Sequence, residues 1–187
     1  MKKIQLGINI LLPMPVVLVG ALVQGKVNFM AVGWMTRVNE QPPLLAVSIG
    51  RQQYTAIGIR ENKVFSVCLP SSALVEKTDY CGIVSGRKAD KSGLFRVFYG
   101  SMQKAPMIEE CPLCLECRLV NTVELPNQYL FIGEIAAAYS EEAYLSDGKL
   151  DYKKIDPVVL TQPEDAYLHL GEKAGDAFSC GKKFLHP

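Results

Sequence analysis

The sequence predicts a mostly β fold, a closed or half-closed antiparallel barrel with a few short helices. Three observations carry that expectation. Val- and Leu-rich runs of strand length recur between short turn signals over residues 16–69 and again over 115–139. Convincing long stretches of helical periodicity are few. The alternation of strand and long helix that marks a doubly wound parallel sheet is missing.

Residues 16–23 are the first expected strand and 27–34 the second, joined as a hairpin through Gln24-Gly25-Lys26. Pro42-Pro43 punctuates the chain before a third strand over 44–49. A short helix is expected over 55–60, followed by a fourth strand over 64–69. Residues 71–82 read as a helix capped by Ser72, with Leu74, Val75 and Thr78 near one face. The polar, basic stretch 85–91 reads as a loop, and Pro106 and Pro112 bracket an irregular segment. Two more strands, 115–123 and 129–139, meet at a Pro-Asn turn. The tail after Pro157 is mixed. No repeat, linker or low-complexity tract divides the 187 residues, so one domain over 1–187 is expected.

Lys plus Arg number 20 and Asp plus Glu 19, so the net charge of +1 gives no general drive toward nucleic acid or an anionic membrane. Six scattered cysteines in a chain able to build its own core argue for a reducing, cytoplasmic compartment over a disulfide scaffold. Lys2 and Lys3 precede an apolar run over 8–23 that could pass for a secretory leader. Pro13 and Pro15 would break its helix, and the next segment continues in the same β-rich style. No run is long and uninterrupted enough to span a bilayer.

Three chemical motifs fail on context. Gly20 to Lys26 falls one residue short of a phosphate-binding loop: Val27 stands where Ser or Thr is needed, and a strand follows where a helix is needed. Cys111-x-x-Cys114-x-x-Cys117 has the spacing of a metal site but lacks a fourth ligand nearby, with only Cys180, His169 and His186 further on. In a strand, residues three apart point to opposite faces, so Cys114 and Cys117 cannot share an ion; no metal is expected. Neither histidine lies beside a nucleophile motif.

Four segments stand out together: Asn28-Phe29-Met30-Ala31-Val32-Gly33-Trp34-Met35-Thr36; Pro42-Pro43-Leu44-Leu45-Ala46-Val47-Ser48-Ile49 running on to Arg51 and Tyr54-Thr55; Val64-Phe65-Ser66-Val67-Cys68-Leu69-Pro70; and Thr78-Asp79-Tyr80-Cys81-Gly82 followed by Ser85-Gly86-Arg87 and Asp90-Lys91. Over residues 13–140 this pattern resembles the flavin reductase-like family, in particular its flavoredoxin branch; the last segment is the most specific part. The resemblance implies a Greek-key, FMN-binding split barrel, one FMN per subunit, and a homodimer with FMN near the interface. Its site residues would be Asn28, Met30, Trp34, Met35, Thr36, Ser48, Arg51, Thr55, Cys81, Ser85, Gly86, Arg87 and Lys91, with no catalytic side chain required.

Residue chemistry agrees with that implication. A phosphate wants charge-assisted donors, which Arg51, Thr55 and Lys91 can provide, with hydroxyls from Ser48 and Ser85 and amides near Gly86-Arg87. A flavin ring wants flat apolar contact and polar groups at one edge, which Trp34, Asn28 and Thr36 can provide. Cys81 reads as a structural or flavin-adjacent thiol. The expected function is electron transfer through FMN, fed by NAD(P)H or a redox protein. The alternatives are an NAD(P)H-dependent flavin or ferric reductase and a non-enzymatic FMN-binding protein.

Overall fold

The computed structural model describes residue 1 and residues 3–185. His186, and the Lys2 of the leader-like start, lie outside the described residues. Strands β1 (Met14–Pro15), β2 (Val17–Val23), β3 (Lys26–Val32), β4 (Met35–Asn39) and β5 (Leu44–Gly50) come first, followed by helix α1 (Tyr54–Asn62) and strand β6 (Val64–Leu69). A 3-10 turn over Ser72–Leu74 leads into α2 (Val75–Ile83). Short strands β7 (Val97–Phe98) and β8 (Met107–Ile108) precede a long hairpin of β9 (Leu113–Glu124) and β10 (Gln128–Ser140). Beyond it lie a small ribbon, β11 (Leu145–Ser146) and β12 (Lys149–Leu150), the short helix α3 (Tyr152–Ile155), and a hairpin of β13 (Val158–Thr161) and β14 (Ala166–His169).

Seven strands form the main sheet in the order β3-β2-β6-β9-β10-β5-β4, and every neighbouring pair is antiparallel. β3 and β4 stand at opposite ends of that order, yet only Gly33-Trp34 separates them in sequence. One extended stretch therefore serves both edges and curls the sheet into a split barrel. The sequence reading gave this stretch one strand ending at Trp34; the break at Gly33 makes two, and β4 is the strand it missed. β6, reached from β5 through α1, inserts between β2 and the β9–β10 hairpin, a Greek-key type of crossover.

The strand pleat sorts the apolar residues into two cores. Val17, Val19 and Ala21 of β2, Leu45, Val47 and Ile49 of β5, Phe65 and Val67 of β6 and Phe131 of β10 face the barrel interior, joined by Ala56 and Ile59 of α1. Leu18, Phe29, Cys68 and Cys114 face the other way and pack against Cys81 of α2 and against Phe95, Met107, Ile108 and Cys111. Cys114 and Cys117 thus lie in different cores, as strand geometry requires.

The β2–β3 hairpin turns on Gln24 and Gly25, both at positive φ (52° and 76°), the two-residue turn whose twist suits paired strands. The stretch resembling a phosphate loop is this strand and hairpin. Ser72 does not cap α2: its hydroxyl bonds the Asp156 carboxylate, and its amide donates to the Asp156 carbonyl at 2.8 Å. The segment after α3 occupies that turn and takes the serine for its own anchoring. Among the described residues no helix is long and apolar enough to cross a membrane.

Candidate functional site

A cleft opens where β3, the amino end of α1, the carboxyl end of α2 and the 85–91 loop converge. Asn28 and Met30 come from β3, Gln53, Tyr54 and Thr55 from the start of α1, and Cys81, Gly82 and Val84 from the end of α2. Ser85 to Lys91 close the far side. The cleft comprises two adjoining cavities of about 160 and 310 Å³ that share Asn28, Tyr54, Gly86 and Lys91.

Its walls hold unusual polar groups. Asn28 is 3% exposed; its amide nitrogen donates to Thr55 Oγ1 at 2.8 Å, while its Oδ1 has no partner. A buried acceptor left unbonded costs about 1–3 kcal/mol. Lys91 is equally buried, and its ammonium donates to the Cys81 and Val84 carbonyls at 3.3 and 2.9 Å. Those carbonyls lie in the last turn of α2 and at its C-cap, where intrahelical partners run out. Two bonds leave the ammonium one donor. Burial lowers the Lys91 pKa, offset in part by Cys81. Burial pushes the Cys81 thiol up to about 11 against the pull of Lys91, so it is neutral at physiological pH.

Gly86 is the close approach in the loop. A β-carbon there would overlap Asn28 Oδ1 and sit 2.7 Å from Tyr54 Cδ1. The Arg87 guanidinium stacks on the Tyr54 ring at 5.3 Å, and its amide donates to Ser85 Oγ at 3.3 Å. Lys26 and Lys88 line the larger cavity with Arg87 and Lys91, and Asp90 is its one acidic residue. α1 begins at the same place, so amides without intrahelical partners add to the positive side. The cleft therefore presents positive charge beside an unpaired buried acceptor, a chemistry that suits an anion carrying hydrogen-bond donors.

Of the residues named from the sequence, Asn28, Met30, Thr55, Cys81, Ser85, Gly86, Arg87 and Lys91 meet at this cleft. Trp34, Thr36 and Ser48 lie on the outer face of the β4–β5 pair: the Ser48 amide donates to the Trp34 carbonyl at 2.9 Å, and Thr36 stands opposite Ala46. Met35, opposite Val47, packs against the barrel core instead. Arg51 pairs with Glu124 at 3.2 Å, lies over the Tyr129 ring at 5.1 Å, and borders a separate cavity of about 470 Å³. Gln53 lines both that cavity and the cleft. Sequence reasoning placed Tyr54 in the second segment without giving it a site role, and it missed Gln53, Lys26 and Lys88. Tyr54 had a signal, since it stands directly before Thr55 at a helix start; Lys26 reaches the cleft only through the hairpin.

Comparisons with known proteins agree with the fold. The model of the flavin reductase like domain matches residues 10–156. Flavoredoxin from Methanosarcina acetivorans is 55% identical, with a TM-score of 0.96 over 98% of this chain and 100% of that one. Flavoredoxin of Desulfovibrio vulgaris (Miyazaki F) is 35% identical, with a TM-score of 0.89 over 97% and 100%. An uncharacterized protein of Aeropyrum pernix is 34% identical over 73% of this chain, which spans 53% of that relative's length. The chain belongs to the flavin reductase-like family.

Proposed function

We propose that this chain is an FMN-holding electron-transfer oxidoreductase of the flavoredoxin kind, with FMN seated at the cleft between β3, α1 and the 85–91 loop. One observation carries the reading: Asn28 Oδ1, a buried acceptor without a donor, on the wall of a cleft rimmed by Lys26, Arg87, Lys88 and Lys91. FMN offers what both features lack, N–H and O–H donors and one phosphate. The fit also accounts for Gly86, whose missing side chain lets the loop close over Asn28 and Tyr54.

Within this reading Asn28, held by Thr55, accepts from the flavin, and Arg87 and Lys91 supply positive charge. Met30 and the neutral Cys81 thiol give apolar contact. Trp34, Thr36, Ser48 and Arg51 form a second group on the β4–β5 side, linked to the first through Gln53. Bound FMN supplies the redox chemistry, and the protein positions and tunes it. Direct hydride transfer to the flavin would require no side chain at the cleft to act as acid or base.

The donor is NAD(P)H or a redox protein in a cytoplasmic setting, and the functional unit is a homodimer. Ile4, Leu6, Ile8, Ile10 and Leu12 are exposed at alternate positions of the amino-terminal arm, the period of a strand face that a second copy can cover. Two measurements test the proposal. FMN fluorescence should quench on titration with the chain, and less so with Lys91→Ala. Rapid mixing should show reduction of the bound flavin by NAD(P)H or a reduced redox protein. Fast NAD(P)H-dependent reduction of added free flavin or ferric chelate would shift the assignment to a flavin or ferric reductase. A bound flavin that no donor reduces would make it an FMN-binding protein without redox function.

A further inference from the structure

The last hairpin grips the helix that ends at the cleft. β13 pairs with β1 through Met14↔Leu160 and Pro15↔Val159, and β1 runs on into β2 of the main sheet. β14 pairs with β13 and brings two side chains onto acidic groups. The Tyr167 hydroxyl donates to Asp79 Oδ1 of α2 at 2.9 Å, and His169 Nδ1 lies 2.8 Å from Asp156 Oδ1. Residues two apart on a strand share a face, so one face of β14 makes both contacts. Asp156 in turn accepts from the Ser72 hydroxyl with its carboxylate and from the Ser72 amide with its carbonyl, just ahead of α2. Pro157 forms an antiparallel bridge with Ser71. The family match ends at residue 156, so Tyr167 and His169 lie beyond it.

α2 depends on such anchors. It has nine residues, and a helix that short is marginal on its own. Thr78 and Cys81 are its buried residues. Asp156 fixes the turn before its amino end, and Lys91 takes the Cys81 and Val84 carbonyls at its carboxyl end. Asp79 stands between those anchors, two residues ahead of Cys81. The Val84 amide closes the helix on the Tyr80 carbonyl at 3.0 Å, and Cys81, Gly82 and Val84 line the cleft. One wall of the cleft is therefore the end of a short helix that β14 holds through Asp79. Burial, with the Asp79 carboxylate, pushes the Tyr167 hydroxyl up to about 12, so it stays a donor at physiological pH.

We propose that the β13–β14 hairpin is a strap that sets the end of α2 at the cleft, and that Tyr167 is its positioning residue. The Tyr167–Asp79 bond keeps the last turn of α2 in place, so that the Cys81 and Val84 carbonyls stand where the Lys91 ammonium meets them. Tyr167 touches no ligand; it acts through Asp79, α2 and Lys91. Its effect on a ligand rests on the reading of the cleft as the FMN site. Its effect on α2 does not, because the strap is complete without FMN.

The test uses the full chain and Tyr167→Phe, which keeps the ring and removes the donor. Amide hydrogen exchange without FMN should quicken at residues 82–84 by roughly three- to tenfold, the scale of one hydrogen bond, with β5 and β10 unchanged. With FMN bound, dissociation on dilution, followed by recovery of flavin fluorescence, should quicken on the same scale. In an Asp79→Ala background Tyr167→Phe should have no further effect on either readout, because the two side chains act as a pair. In an Asp79→Asn background, which keeps a side-chain acceptor, the effect should return. The proposal is overturned if exchange at 82–84 is unchanged in Tyr167→Phe, or if it rises equally in β5 and β10, which would mark general destabilisation. It is equally overturned if exchange quickens at 82–84 while FMN dissociation stays as in the native chain. A native chain that takes up no FMN would instead remove the flavin reading, and the exchange comparison would still decide the strap.

Discussion

The two cores on either face of the sheet are built differently. The barrel interior is almost entirely apolar: Phe65, Phe131, Ile49 and Val19 are fully buried, and its one thiol, Cys117, is held protonated by burial. The outer side of the sheet, beneath α2 and the loops that follow, holds four cysteines. The cleft beside it adds an orphaned amide oxygen and a buried ammonium. The first region is organised for stability. The second keeps polar and nucleophilic groups out of water at a cost in stability, and it is the side on which the proposed FMN site lies. Changes to the first should therefore alter folding alone, and changes to the second should alter ligand behaviour.

The largest expected effect is on the barrel side. Phe131→Ala should lower unfolding free energy by about 3–5 kcal/mol, read by urea denaturation, with FMN affinity of the folded fraction unchanged. Next is Lys91→Ala. Loss of one charged hydrogen bond should weaken FMN binding by roughly 1.5–3 kcal/mol, and freeing the Cys81 and Val84 carbonyls should cost further stability, measured without FMN. An unchanged FMN affinity would remove Lys91 from the site. Gly86→Ala should displace the loop from Asn28 and Tyr54, costing about 1–3 kcal/mol of stability and most of the flavin retention.

Arg51→Ala is a sharper discriminator. Its exposed pair with Glu124 should contribute about 0–1 kcal/mol, so melting should barely move. If the β4–β5 side shares in phosphate binding, FMN affinity should fall all the same. The smallest effect is one of pH. The folded pKa of Cys81, about 11, lies above its ordinary value of 9.0, so burial of the neutral thiol favours the fold below pH 9. That contribution disappears as pH rises from 9 toward 11. Cys81→Ala should flatten the fall in thermal stability across that window, and an identical slope would contradict the assignment.

Much of the fold was legible because its strands carry their own signals. The hairpin at Gln24-Gly25 and the paired runs around Pro126 lie where turn chemistry puts them. β4 was missed because Gly33 permits a break that no periodicity announces, and the break matters only once the sheet curls. Ser72 was misread because local capping cannot foresee Asp156, 84 residues away. At the site, family order pointed to the segments, but only the fold separates Arg87 and Lys91 from Arg51. The thiol spacing was read as Cys111, Cys114 and Cys117; the third member of the real cluster is Cys68, brought in by the β6–β9 register.

The central claim is that the cleft holds FMN. The most direct measurement is the visible absorbance of the purified chain, before and after adding FMN and removing the excess, with the released chromophore identified by mass. The expected result is a flavin spectrum, one FMN per chain, and loss of that colour in Gly86→Ala and Lys91→Ala but not in Phe131→Ala. A colourless chain that takes up no added FMN, or one whose flavin is indifferent to Gly86 and Lys91, would contradict it.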